Sequence, residues 1–283
     1  MQKVAVAIIH GMGNQKDDYA DKCISLIKEN FTKKLTHLTE DVTSQLVIEP
    51  VFWAEVFEKR EDCLFDKYFD KCFDNHELNY KELRKFVIQY LGDTIAYQPI
   101  KSKMQNYERV HQKIKTTLTT LSKKAGDQAP LCVISHSLGS AIASNFFYDL
   151  EDSNSGINEC TPIEKGETLT LFYTLGTTLP LWSLRYHDFN EPINIPSKSI
   201  QNFHPNLKGE WVNFYDKDDI LGYPLKTVND SYKHAVDEDR GVSVGGLLTG
   251  WNPSCHNKYL TDIKVIERIV DGLIETWKHV NNI

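Results

Sequence analysis

Apolar runs of strand length alternate along the chain with segments in which apolar residues recur every three or four positions. The first pattern is typical of buried strands and the second of amphipathic helices. Strands are predicted over residues 3–9, 45–53, 130–135, 168–176 and 210–216, with a short last strand at 242–246. A helical pattern closes the chain. This alternation predicts an α/β fold with a mostly parallel sheet flanked by helices.

The segment 54–128 interrupts the alternation, because three helical patterns follow one another there without a strand. We therefore predict a single domain over residues 1–283 with a helical insertion over 54–128. The first pattern, at 55–73, is rich in aromatic residues and is a candidate lid. The third carries several lysines opposite its apolar stripe and is a candidate for weak contact with an anionic membrane surface. Both patterns are more typical of ordinary helices that pack on a core.

Composition narrows the functional classes. The chain has 283 residues, of which 41% are hydrophobic and 25% charged, so it can bury a sizeable core. Its net charge of −7 disfavours nucleic-acid binding, which requires a basic surface. No apolar run is long enough to span a bilayer, and the first residues show no signal-peptide cleavage pattern. The six cysteines show neither C-x-x-C motifs nor metal-ligand spacing, so we expect a reduced, cytoplasmic protein. Nothing in the sequence indicates an oligomeric state.

The stretch VISHSLGSAIAS, residues 133–144, takes a buried strand through a turn of small residues into a helix. Ser137 lies at the turn, with Ser135 two positions before it and Gly139 two positions after it. Small residues at these positions let the chain turn sharply and expose the central hydroxyl. The next residue, Leu138, begins the helix and offers a backbone N–H to a ligand. Ser137 is therefore a candidate nucleophile, and the alternative is a structural serine in a tight turn.

A second glycine turn, HGMG at residues 10–13, ends the first predicted strand. Together, the SHSLG turn and the HGMG turn resemble those of the α/β-hydrolase superfamily, in its lipase and esterase branch. The usual nucleophile motif of that family is G-x-S-x-G, and this chain has Ser135 in place of the first glycine. The resemblance covers residues 3–280 except the helical insertion. It implies an α/β-hydrolase fold whose first strand corresponds to the third strand of the family core.

The resemblance also implies roles for the residues of the two turns. Ser137 is the nucleophile, and the backbone N–H groups of Met12 and Leu138 form the oxyanion hole. The positions expected to support the site are His10, Gly11, Ser135, His136 and Gly139.

The resemblance places the acid and the histidine later in the chain, in that order. The family's histidine lies in a loop before the last helix, which implies His256, with His234 as a competitor. The acid follows a late strand, where three aspartates lie close together. Asp219 is favoured because aliphatic residues follow it, as they commonly follow the acid of the family. The alternative acids are Asp218, a close rival, and Asp216.

These residues lead to one hypothesis of function. The protein is a serine hydrolase that cleaves a small-molecule or lipid ester through Ser137, His256 and Asp219, by way of an acyl-enzyme and without a metal or cofactor. Residues 175–186 and 245–253 are candidates for lining an acyl site. A thioesterase, an amidase or an acyltransferase is the alternative on the same residues. A non-catalytic scaffold with the hydrolase fold is the alternative from another class.

Overall fold

Six parallel strands form one sheet in the described part of the protein. The computed structural model describes residues 1–13, 15–38, 41–67, 80–98, 106–152, 160–185, 187–244 and 256–283. The strands are β1 (Val4–Ile9), β2 (Leu46–Val51), β3 (Leu131–His136), β4 (Leu169–Leu175), β5 (Glu210–Tyr215) and β6 (Glu238–Gly241). Their order is β2-β1-β3-β4-β5-β6, and all neighbouring pairs are parallel.

Helices fill the connections between the strands and follow the last one. They are α1 (Asp21–Leu35), α2 (Glu58–Asp66), α3 (Lys81–Ala96), α4 (Asn106–Ala125), α5 (Leu138–Asp152), α6 (Leu179–Trp182), α7 (Asp230–Ala235) and α8 (Ile263–Val280). Short 3-10 turns occur at Thr43–Gln45, Ala54–Val56, Ser183–Arg185, Ile200–Asn202 and His256–Thr261. The predicted α/β fold, with a parallel sheet flanked by helices, is confirmed.

The sheet has a hydrophobic core on each face. On one face α1 packs against α8, and Phe31 and Ile266 are buried there. On the other face α4 and α5 cover the strands, and Leu118 and Ile142 are buried. All six residues of β1 are buried between the two layers, which explains why its sequence is apolar throughout. Within the described ranges, no helix combines the length and the apolar character needed to cross a membrane.

Five predicted strands match observed strands to within two residues at each end, and the prediction for the last strand is wrong. In the described part of the chain the last strand is β6, which precedes residues 242–246. β6 lies at the edge of the sheet and pairs with β5 alone, so its charged side chains remain partly exposed. The sequence EDRG therefore carries no apolar signal. Val242 and Val244 follow the strand, and residues 245 and 246 lie outside the described residues.

Three helices are described within the segment 54–128, and they pack differently. α4 lies against β1 and β2 and is part of the layer that covers the sheet, whereas α2 and α3 pack against each other. Residues 68–79 and 99–105 lie outside the described residues, and they include the end of the candidate lid pattern at 55–73. The insertion and the lid remain predictions. Because α4 belongs to the layer that covers the sheet, α2 and α3 are better candidates for an inserted segment than α4.

Parallel pairing places the carboxyl ends of the strands along one edge of the sheet. The HGMG turn leaves β1 at this edge, Ser137 follows β3, and the aspartate loop follows β5. Open α/β sheets bind their ligands at this edge. The fold therefore gathers three of the sequence motifs in one region.

Helix α8 depends on Asp262 at its N-terminus. The Asp262 carboxylate accepts hydrogen bonds from the backbone N–H of Lys264 at 2.9 Å and of Val265 at 3.1 Å. Replacing Asp262 by Ala should lower the free energy of unfolding by about 1 kcal/mol. Asp262→Asn keeps an acceptor oxygen and should lower it much less. Urea denaturation followed by circular dichroism measures both values, and equal losses would contradict the capping role.

Candidate active site

Ser137 occupies a strained turn between β3 and α5. Its φ is +53°, in the left-handed region that residues other than glycine rarely adopt. The Ser137 N–H donates a hydrogen bond to the carbonyl of Leu175 at 3.0 Å, which ties the turn to β4. The side chain is fully buried, and its Oγ has no hydrogen-bond partner among the described residues. The turn therefore holds an unpaired hydroxyl in a fixed place.

Two glycines allow the turns to approach each other closely. A Cβ on Gly11 would lie 2.6 Å from Cβ of Ser137, and a Cβ on Gly139 would lie 2.3 Å from the carbonyl oxygen of His10. Neither distance is compatible with a side chain. The HGMG turn therefore lies directly against Ser137, and the start of α5 lies directly against the end of β1.

Asp219 and His256 form a buried pair after β5 and before α8. His256 Nδ1 lies 2.7 Å from Asp219 Oδ2, and both side chains are almost fully inaccessible to solvent. Burial alone would raise the pKa of the Asp219 carboxyl. The hydrogen bond and charge of His256, with the N–H of Leu221 and the hydroxyl of Tyr259, hold that pKa below its usual value. Asp219 is therefore ionised at neutral pH and accepts the Nδ1 proton of His256.

His256 is left with one unused nitrogen. With the Nδ1 proton directed at Asp219, Nε2 is the nitrogen that can accept a proton when the ring is neutral. Nε2 is buried and has no hydrogen-bond partner among the described residues. The neighbouring ring of His136 lies with its centroid 4.7 Å from that of His256, and His136 Nε2 lies 2.6 Å from the His256 carbonyl oxygen. His136, the residue before Ser137, thus connects the histidine loop to the serine turn.

The other two aspartates face elsewhere. Asp216 Oδ1 accepts the N–H of Asp218 at 3.0 Å, and Asp216 Oδ2 accepts the N–H of Val244 at 2.8 Å. Asp218 is exposed to solvent. The competing histidine, His234, is exposed on α7, where its Nδ1 lies 2.6 Å from the Asp230 carbonyl oxygen. Of the three candidate acids, Asp219 is the one that the structure places against His256.

Two backbone N–H groups near Ser137 have no acceptor in the described residues. They belong to Met12, in the HGMG turn, and to Leu138, the first residue of α5. The next N–H of the turn, that of Gly13, donates to Asp93 Oδ2 at 2.8 Å and is therefore already used. These two donors are the ones implied by the family resemblance.

His10 supports the HGMG turn as a neutral ring. Its Nε2 accepts the N–H of Trp53 at 3.1 Å and of Ala54 at 3.3 Å, and its Nδ1 donates to the carbonyl of Gly11 at 2.8 Å. The ring stacks on the indole of Trp53 at 4.5 Å between centroids. Burial lowers the pKa of His10 to about 3. A ring with both nitrogens engaged in this way braces the turn and does not act as a base.

Ser135 stands where the family motif has its first glycine. Its side chain is fully buried, and its Oγ lies 3.1 Å from Ser140 Oγ and 3.3 Å from the Tyr173 carbonyl oxygen, either of which can accept its one proton. The hydroxyl therefore satisfies its hydrogen bonds within β4 and α5. This explains how a serine is accommodated at that position.

Sequence reasoning missed Tyr259, whose hydroxyl donates to Asp219 Oδ2 at 2.9 Å and accepts the N–H of Asp216 at 2.8 Å. Its position three residues after His256, in the same 3-10 turn, is the signal that points to it. Trp53 and Asp93 were also missed, and no local motif marks either residue. Both act on the HGMG turn from distant parts of the chain.

The candidate acyl-site segments are only partly described. Leu179 and Trp182 of α6 are buried, whereas Leu181 is exposed. Residues 245–253 lie outside the described residues. No group of three or more His, Cys, Asp and Glu side chains in the described ranges is arranged to hold a metal ion.

Comparison with known proteins gives a distant likeness. No family model matches the sequence. No curated protein matches it. Among solved structures, the chain is similar to a provisionally described hydrolase of the alpha/beta superfamily from Xanthomonas campestris pv. campestris. The two chains share 9% sequence identity with a TM-score of 0.41, over 95% of this chain and 99% of the other.

The pH dependence of stability tests whether His136 is a buried, neutral ring in the folded protein. Burial, and then the neighbouring His256, lower the pKa of His136 to about 3. As the pH falls from about 6 to about 4, a histidine in the unfolded chain gains a proton that folded His136 does not take. The wild-type protein should therefore lose about 1.4 kcal/mol more stability per pH unit than His136→Gln. Urea denaturation at several pH values measures this difference, and parallel curves would contradict a neutral, buried ring.

Proposed function

We propose that the protein is a serine hydrolase that cleaves carboxylic esters, of the lipase and esterase type. The observation that carries this proposal is the buried Asp219–His256 pair, with Nδ1 and Oδ2 2.7 Å apart. This pair leaves Nε2 of His256 unpaired, and Ser137 Oγ is unpaired in its strained turn. A serine hydroxyl becomes a nucleophile when a base accepts its proton and an acid orients that base. These three residues are the types needed, in the order serine, aspartate, histidine.

In the proposed reaction, Ser137 Oγ attacks the acyl carbonyl carbon and transfers its proton to His256 Nε2. Asp219 stabilises the imidazolium ion that forms, and it remains ionised throughout. The carbonyl oxygen becomes an oxyanion that accepts hydrogen bonds from the N–H groups of Met12 and Leu138. The tetrahedral intermediate then collapses and breaks the ester bond, and His256 returns the proton to the leaving alcohol. The product of this half-reaction is an ester of Ser137.

Water completes the cycle by the same steps. His256 Nε2 accepts a proton from the water molecule, whose oxygen attacks the acyl carbon of the acyl-enzyme. The second tetrahedral intermediate uses the same oxyanion hole. Its collapse releases the carboxylic acid, and His256 returns the proton to Ser137 Oγ. The cycle therefore balances without a redox partner or a metal-bound nucleophile.

The same machinery serves a thioesterase, an amidase or an acyltransferase, because the pocket and not the triad selects the bond. Matched oxygen-ester, thioester and amide substrates with one acyl group distinguish an esterase, a thioesterase and an amidase. Product analysis in the presence of added alcohol reveals acyl transfer. We expect the oxygen ester to be the preferred substrate, either a small molecule or a lipid. A non-catalytic scaffold would turn over none of them.

A fluorophosphonate probe tests the proposed nucleophile. It bonds to a serine hydroxyl only where a base removes the proton and donors hold the phosphoryl oxygen. Peptide mass spectrometry should locate the adduct on Ser137, and Ser137→Ala should abolish it. His256→Ala should slow the labelling by at least about 10³-fold. A folded wild-type protein that takes up no probe, with or without detergent, would overturn the proposal.

The three aspartates allow a matched test of the acid. Asp219→Asn should lower kcat by about 10³- to 10⁴-fold, because an amide no longer stabilises the imidazolium ion or fixes its tautomer. Asp218→Asn is the matched control, since this side chain is exposed and does not contact His256. It should keep kcat within about twofold. Steady-state hydrolysis of a short-chain ester measures both, and a comparable loss in the two variants would contradict the assignment.

A further inference from the structure

Helix α3, within the segment 54–128, contacts the HGMG turn. The Gly13 N–H donates to Asp93 Oδ2 at 2.8 Å, and Thr94 Oγ1 lies 3.1 Å from the sulfur of Met12. Tyr90, on the same helix, hydrogen-bonds the side chain of Asn257 in the histidine loop. One helix therefore contacts both the turn beside Ser137 and the residue next to His256.

Asp93 is paired with a second acid. Its side chain is 2% exposed, and its carboxyl group hydrogen-bonds that of Glu61 on α2. Burial and then the charge of Glu61 raise the pKa of Asp93 to about 9, since two adjacent buried carboxylates repel each other. At neutral pH Asp93 therefore keeps its proton. Its O–H donates to Glu61 while its other oxygen, Oδ2, accepts the Gly13 N–H.

We propose that Asp93 is a positioning residue for the oxyanion hole, a protonated acid that joins the Gly13 N–H to the Glu61 carboxylate. This inference rests on the proposed function, because an oxyanion hole matters only if Ser137 attacks a carbonyl group. Asp93 takes up the Gly13 N–H and leaves that of Met12 as the donor of this turn. The turn also packs against Ser137 through Gly11. A displacement of about 1 Å at such a position can slow a reaction about 10²-fold.

Loss of the Asp93 proton at alkaline pH should disturb the oxyanion-hole turn. Above a pH of about 9, Asp93 loses the proton that it shares with Glu61, and two negative charges then meet at the contact between α2 and α3. The reaction of the wild-type protein should therefore slow as the pH rises through about 9. The charges of Asp62, Arg60 and Glu58 on α2 act on Glu61, and the charge of Asp93 acts on Tyr90 of α3; Asp62 itself is exposed to solvent.

The experiment compares rates of fluorophosphonate labelling of Ser137 in the full chain. The variants are Asp93→Ala, Asp93→Asn and the matched control Asp62→Asn, an exposed acid next to Glu61. Asp93→Ala should label about 10- to 100-fold more slowly at pH 7. Asn copies the protonated acid, since its oxygen accepts the Gly13 N–H and its amide donates to Glu61. Asp93→Asn should therefore label within about threefold of the wild type and lack the alkaline decline. Asp62→Asn should match the wild type, decline included.

Each outcome separates the inference from the proposed function. If the wild-type protein itself takes no probe on Ser137, the proposed function fails. If the wild type is labelled and folded Asp93→Ala is labelled equally fast, the inference alone fails. Slow labelling of Asp93→Asn, as slow as that of Asp93→Ala, would overturn the protonated-acid role. If Asp93→Ala does not fold, the pH profiles decide, and the same alkaline decline in the wild type and in Asp93→Asn would overturn the inference.

Discussion

The left-handed backbone of Ser137 is the constraint on which the arrangement of the site depends. A φ of +53° is unfavourable for a serine, so the surrounding structure must hold it. The hydrogen bond from its N–H to Leu175 does so from β4, and the close contact of Gly139 with His10 does so from β1. These contacts exist because β1, β3 and β4 are adjacent, parallel and end at one edge. The fold thus fixes the serine side chain before any ligand arrives.

The buried pair of Asp219 and His256 is likewise an unfavourable arrangement that the surrounding contacts stabilise. A carboxylate removed from water is unfavourable unless charge and hydrogen bonds compensate. Here His256, Tyr259 and the N–H of Leu221 supply them, so that the acid stays ionised and the ring keeps one tautomer. His136 then links this loop to the end of β3. The site combines a strained serine turn with a buried acid–histidine pair whose Nε2 is left without a partner among the described residues.

Much of the fold was predictable because buried parallel strands have continuous apolar sequences, as β1 and β3 do. The edge strand β6 was not predictable in this way, since one partner strand and a charged sequence leave no periodic signal. In the site, Ser137 and the HGMG residues were identifiable, because a tight turn requires small residues at neighbouring positions in the sequence. Asp93 was not, since its hydrogen bond to Gly13 joins residues 80 positions apart through the packing of α3.

The measurement that tests this account most directly is a crystal structure of the fluorophosphonate adduct. Phosphorus should be bonded to Ser137 Oγ, and its phosphoryl oxygen should lie about 3 Å from the N–H groups of both Met12 and Leu138. The hydrogen bond between His256 and Asp219 should remain, and so should the hydrogen bond from the Gly13 N–H to Asp93. An adduct on another residue, or a phosphoryl oxygen on Ser137 that faces solvent away from both N–H groups, would contradict it.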